Sequence, residues 1–400
     1  MALPDILISK AAGGLGRQQP TDDGISAFIT QGIAIAGKLT LGTVYELRSI
    51  QAAEALGLTA SHATYAKPYR HIAEYFRLSP GAVLLFMAVA RTVTMANICD
   101  RTLGGGAKAL LTNANGRVKQ LAVCLNPASG GSAPTTTGGL NDDVVGAIDK
   151  AQALAAEEFE QHRPVVVLLA GHNLATDLST VADLRGKSSE YVSVVVGTDH
   201  SLLPGEPAIG TTLGAVAAAR VNESIAWVQK FNLTGDGAFV NAGLSNGKAL
   251  SELLPGDLGG VSDKGLIAVR QHAGLDGFYF TDTPTCTLAS SDYAQVENVR
   301  TTNKASRVCR TALLPSLNGP LLVNADGTLQ SQVIGELQGT ATAALNTALL
   351  QTGEASALGV YIDPSQNVIS TSKLAVKVRI VPVGVARQIT VDLGLSTKLS

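Results

Sequence analysis

The residues in this chain that could do chemistry are few, and their spacing narrows them further. Asp199-His200-Ser201 sets an acid, an imidazole and a hydroxyl just after a β-branched run, where α/β folds usually place an active site. Adjacent residues on a strand-to-loop turn rarely point at one another, however, and nucleophilic triads are assembled from distant positions. Gly243-Leu244-Ser245-Asn246-Gly247-Lys248-Ala249 has the outline of a phosphate loop, but one residue too few separates its glycines, and Ala249 stands where Ser or Thr must hold magnesium. Ala12-Gly13-Gly14-Leu15-Gly16 is glycine-rich without matching the dinucleotide turn G-x-G-x-x-G. His162 and His172 flank the apolar run at Val165 too far apart to form an obvious metal pair, and Cys99, Cys124, Cys286 and Cys309 are scattered with no Cys-x-x-Cys. The expectation is buried or semi-buried free thiols, no catalytic residue, no metal and no cofactor. The runner-up is an α/β hydrolase-like enzyme using Asp199 or His200 in a cleft.

The elements that would position these groups read as a mixed α/β protein. Strands are expected over residues 25–29, 32–36, 81–94, 117–125, 164–170, 191–197 and 265–270, and helices over 47–56, 65–76 (interrupted by Pro68), 144–161, 177–184 and 214–227. Asn141 or Asp142 caps the long helix. Residues 164–170 and 191–197 are continuously apolar rather than alternating, the pattern of strands covered on both faces. Residues 129–139 are a Gly/Ser/Thr/Pro loop and a natural boundary. Strands alternating with helices make the middle third an α/β layer.

Bulk properties exclude several functions. Charged residues are only 16% of the 400, against about 25% in ordinary globular chains. With 46% apolar residues, this suggests an exterior largely covered by neighbours. A net charge of −2 with no dense basic run argues against nucleic acid as a partner. Met1-Ala2-Leu3-Pro4-Asp5 lacks the basic and apolar regions of a signal peptide, and the apolar run at 81–90 is about half of the ~20 residues a membrane span requires. A chain made in the cytoplasm, with no membrane insertion, is expected.

Both ends of the chain pose the same question. Residues 5–9 form a short strand followed by the flexible glycines of 11–16. Residues 373–395 alternate strictly: Leu374, Val376, Val378 and Ile380 share a face opposite Lys373, Lys377 and Arg379. After Pro382 and Gly384 the alternation resumes with Ile389, Val391 and Leu393. Two strands cannot hold themselves together in water, so they need a sheet to join.

Read together, the last quarter resembles the C-terminal region of contractile tail sheath proteins of bacteriophage tails and phage-like injection systems. The resemblance rests on residues 218–228 with Trp227, a loop at 241–247, the strand Gly277-Phe278-Tyr279-Phe280-Thr281-Asp282, the helix Asp292-Tyr293-Ala294-Gln295-Val296-Glu297-Asn298-Val299-Arg300, a helix at 329–350 and the terminal arm. Residues 38–95, with Tyr75-Phe76 ahead of a turn, extend it. Thr281-Asp282 stands where the family usually has Arg-Thr, which marks a divergent member. The resemblance implies a multi-layer core with a central subtilisin-like α/β layer, a C-terminal helix-and-strand domain and extended β arms at both termini. The divisions would be an arm at 1–22, an α+β domain at 23–128, a middle α/β domain at 129–274, a sheath domain at 275–372 and an arm at 373–400. It further implies helical assembly with copies of itself around an inner tube, baseplate and terminator or cap proteins as further partners, and residence in a phage tail or injection particle. Arm contacts would come from Ile6, Leu7, Ile8, Leu374, Val376, Val378, Ile380, Ile389, Val391 and Leu393. A tube-attachment helix would present Gln332, Glu336 and Thr340. Another structural component of such a particle is the remaining alternative.

Overall fold

The structure, a computed structural model, describes residues 22–128 and 135–395. The continuous apolar runs form one seven-stranded sheet. Its strands are β1 (Ser26–Gly32), β2 (Tyr45–Leu47), β3 (Leu84–Ala90), β4 (Gln120–Cys124), β5 (Val166–Ala170), β6 (Val192–Val195) and β7 (Leu266–Ile267), in the order β7-β6-β5-β4-β1-β3-β2. All neighbours are parallel except β2, which runs antiparallel at the edge beside β3. Every residue of β1, β4, β5 and β6 is buried, as expected of strands covered on both faces. Because β1 lies between β3 and β4, the winding reverses there, which leaves a crevice at the carboxyl ends of β1 and β4.

Helices α1 (Ala66–Leu78), α2 (Asp142–Glu160) and α3 (Ile209–Ala218) flank this sheet. Pro68 does not interrupt α1: as its third residue it has no intrahelical acceptor to lose. Asn141 caps α2, its side chain accepting from the Asp143 N–H at 2.9 Å. Asp143 turns back to accept from Met95 N and Ala96 N (2.5 and 2.9 Å), so one carboxylate starts the neighbouring short helix Met95–Cys99. The expected division between 23–128 and 129–274 falls inside the sheet, since β4 pairs with β5 across it and both belong to one core.

Several expectations change. Residues 32–36 are not a second strand: β1 runs unbroken to Gly32, and Ile35 only bridges Leu39. Residues 177–184 form two 3₁₀ turns, Leu178–Thr180 and Leu184–Lys187, because Asp177 and Asp183 accept local backbone N–H groups and favour turns over helix. The helix expected at 214–227 lies earlier and ends at Ala218. Its next carbonyls, of Ala219 and Arg220, are taken by the buried Arg300 guanidinium (3.2 and 3.1 Å), and Trp227 sits outside it, partly exposed. Asp199 and His200 form no dyad. The Asp199 carboxylate accepts from Ser201 and from the Phe239 N–H (2.9 Å), tying its own turn to the segment at Phe239. Gly243 and Lys248 belong to a tight turn closed by Leu244 N–H to Lys248 O at 3.0 Å.

Helices α1 and α3 touch backbone to backbone. A Cβ on Gly210 would come within 2.1 Å of the His71 carbonyl oxygen. Gly210→Ala should therefore lower stability by about 1–3 kcal/mol or more in chemical denaturation, because the helices must separate. Gly335→Ala, on an exposed helix surface with nothing near its Cβ, should instead stabilise by about 0.5–1 kcal/mol.

Candidate assembly surface

Beyond the central sheet the chain builds a separate module from α4 (Val296–Leu313), α5 (Ser331–Leu345), β8 (Ala355–Ile362) and β9 (Val376–Pro382). A π turn over Asn346–Leu350 extends α5 and leads into β8. The two strands pair antiparallel, with Leu358 opposite Ile380, Val360 opposite Val378 and Ile362 opposite Val376. These residues share the inner face and pack in two small cores. One gathers Ala305, Leu345, Leu349, Leu358, Val360, Val378 and Ile380; the other gathers Ile334, Leu337, Ile362, Leu374 and Val376. The opposite face, with Tyr361, Lys377 and Arg379, is exposed.

This corrects the first half of the terminal arm. Val376, Val378 and Ile380 are not a strand without a sheet: β8 of the same chain supplies the partner, helices cover the shared apolar face, and Leu374, just ahead of β9, packs into the second core. The second half behaves differently. Residues 383–395 enter no helix or strand, and Ile389, Val391 and Leu393 are 79%, 71% and 91% exposed. Among the described residues no third strand joins β8 and β9, so the outer edge of each keeps unpaired backbone groups. Ile6, Leu7 and Ile8 lie outside the described residues. Gln332, Glu336 and Thr340 lie on the exposed face of α5, beside Gly335 and Gly339.

Both terminal segments are rooted on α4 by charges. Asp23, near the start of the described chain, meets Lys304 (2.9 Å) and Arg307 (2.5 Å), and Lys304 also meets the buried Glu354. Burial opposes ionisation of Asp23, but Lys304 and Arg307 outweigh it and hold the carboxyl below its usual range. Burial likewise lowers the Arg300 guanidinium to about 10, against the help of Asp23. At the other end Arg387 makes two 3.0 Å contacts with the Asp282 carboxylate and reaches the buried Glu297, whose carboxyl burial pushes up. Sequence reading missed these pairs because their members are 50 or more residues apart in the chain.

The comparisons with known proteins fall on this arrangement. Residues 3–284 match the model of the DUF2586 N-terminal domain and residues 292–400 that of the DUF2586 C-terminal domain. No curated protein matches the chain by sequence. The anti-feeding prophage (AFP) helical sheath in its contracted state superposes with a TM-score of 0.62 at 15% identity, covering 100% of both chains. A chain of the AFP baseplate gives 0.65 at 14% identity, over 99% of this chain and 100% of that one. The sheath tail protein Lin1278 of Listeria innocua gives 0.52 at 12% identity, over 89% and 94%. The fold is that of contractile tail sheath proteins, in divergent form.

Two measurements probe the roots. A carboxyl held low in the folded state stabilises fully above its unfolded pKa and loses that contribution as pH falls through the folded value. Asp23→Asn should therefore cost about 2–4 kcal/mol near neutrality, a difference that vanishes as pH falls below about 4. Denaturant titrations of both chains across that range decide it. Arg387→Ala should lower the melting temperature, since it leaves the buried Glu297 carboxyl without its cation, while hydrogen exchange and proteolysis of residues 383–395 accelerate.

Proposed function

Because the chain belongs to the DUF2586 family and carries the sheath fold, we propose that it is a structural subunit of a contractile sheath. It polymerises helically around an inner tube by exchanging β strands with its neighbours and contracts to drive the tube through a target envelope. The observation that carries this reading is the pairing of an exposed, alternating tail at Ile389, Val391 and Leu393 with a two-stranded sheet that is open at both edges in the same chain. Backbone hydrogen bonds at an open edge supply affinity, and alternate side chains set the register. A tail delivered to the next subunit rather than to its own is a head-to-tail contact, and one whose rotation does not close produces a helix.

On this reading the rest of the molecule takes further parts. The β8–β9 ribbon receives strands, residues 383–400 and the segment carrying Ile6, Leu7 and Ile8 donate them, and the outer face of α5 meets the tube. That face carries Gln332, Glu336 and Thr340 with two glycines, so contact there relies on close approach rather than on a row of charges. Partners on this reading are other copies of the chain, the tube protein, and baseplate and cap components. The particle is a phage tail or a phage-like injection device assembled in the cytoplasm. No catalytic step enters the mechanism. The likeness to a chain of the AFP baseplate favours a second placement, in a ring at the sheath's end.

Electron microscopy of the purified full chain should show striated tubes or stacked rings. Removal of residues 383–400 should abolish them while circular dichroism and the melting transition of the body persist. Tubes formed unchanged by the truncated chain would sink strand exchange through this tail. Single rings that never stack would favour the baseplate placement.

A further inference from the structure

The crevice at the carboxyl ends of β1 and β4 holds a cluster that the sheath reading does not use. Cys124 ends β4, His71 comes from α1, and Glu206 from the loop ahead of α3; all three are buried. His71 Nε2 lies 3.8 Å from Cys124 Sγ and 3.5 Å from Glu206 Oε1, and Sγ lies 3.5 Å from the same oxygen. An N···O separation of 3.5 Å is too long for a good hydrogen bond, which is about 2.7–3.2 Å. It suits two ligands of one small ion. With metal–ligand bonds of about 2.0–2.3 Å, the edges of a zinc tetrahedron come to about 3.3–3.6 Å.

We infer that His71 Nε2, Cys124 Sγ and Glu206 Oε1 form a zinc-binding site at the switch point of the sheet. A thiolate, an imidazole and a carboxylate are a donor set that zinc accepts and that calcium or magnesium, which prefer all-oxygen shells, do not. Partners around the ligands would fix their geometry. Lys67 Nζ holds the other carboxylate oxygen of Glu206 at 2.7 Å. His172 Nε2 sits 3.6 Å from Sγ but accepts the Leu125 N–H at 3.2 Å, so it flanks the ion rather than being a firm ligand. Of the three ligands Glu206 also borders a cavity of about 380 Å³ lined by Gln31, Lys67, Arg91, Asp143 and His172. The three ligands are far apart in the chain, so one ion would staple α1, β4 and the approach to α3.

The test uses the full-length chain with Zn²⁺ and Co²⁺ as probes. After reconstitution and dialysis, elemental analysis should find about one zinc per chain in the wild type and in the control His162→Ala, and little in Cys124→Ala or Glu206→Gln. Chelation should lower the melting temperature of the wild type and leave that of Cys124→Ala unchanged. Cobalt in the wild type should show a thiolate-to-metal charge-transfer band. Zinc absent from the reconstituted wild type, a cobalt spectrum without that band, or full stoichiometry in Cys124→Ala would overturn the inference and leave a metal-free polar cluster. The cobalt spectrum decides even if the variants fail to fold, and none of these readouts depends on sheath assembly.

Discussion

The organisation of the C-terminal module follows from the incompleteness of a two-stranded sheet. An antiparallel pair buries one face if helices cover it, but it cannot satisfy the outer backbone groups of either strand. Here the inner face is satisfied: Leu358, Val360 and Ile362 interleave with Ile380, Val378 and Val376 above α4 and α5. The edges are not. The ribbon carries some of the devices that blunt an edge, a bulge at Ala355–Ala357 and Pro382 at the end of β9, but among the described residues no strand covers it. β9 carries charges at Lys377 and Arg379, which deter indiscriminate pairing while leaving its backbone open to a strand of matching register.

Charge placement then fixes where the two described ends of the chain leave the body. Asp23 with Lys304 and Arg307, and Arg387 with Asp282 and Glu297, root the terminal segments on one helix and its surroundings. These pairs are costly to bury and gain little net stability, so position is their clearer contribution. Both roots meet α4, a helix that packs against the central sheet through Val296 and Val299 on Val166.

The central layer shows how residues that look reactive in one dimension become structural in three. Asp199 ties its own turn to the backbone of Phe239, Asp143 caps the start of the Met95–Cys99 helix, and the Gly243–Lys248 segment closes a turn. The reverse also occurs. Cys124 reads as a plain buried thiol and His71 and Glu206 attract no notice in the sequence, yet the three converge where the sheet changes direction.

What the sequence by itself determined was whatever local periodicity dictates. The all-apolar strands, the capped helix after Asn141, the period-two arm and the element order behind the sheath resemblance are patterns of neighbours, legible without knowing what lies across the fold. Element ends were less legible: just past the helix end at Ala218, the distant Arg300 takes the carbonyl oxygens of Ala219 and Arg220. Tertiary structure alone decided that Val376 to Pro382 pairs within its own chain while Ile389, Val391 and Leu393 do not. The two halves alternate alike, and burial depends on whether a partner strand and a covering helix are within reach. The ion pairs at Asp23 and Arg387 and the His71–Cys124–Glu206 cluster were equally out of view. Their members meet only through the packing of distant elements, and no spacing along the chain records that distance.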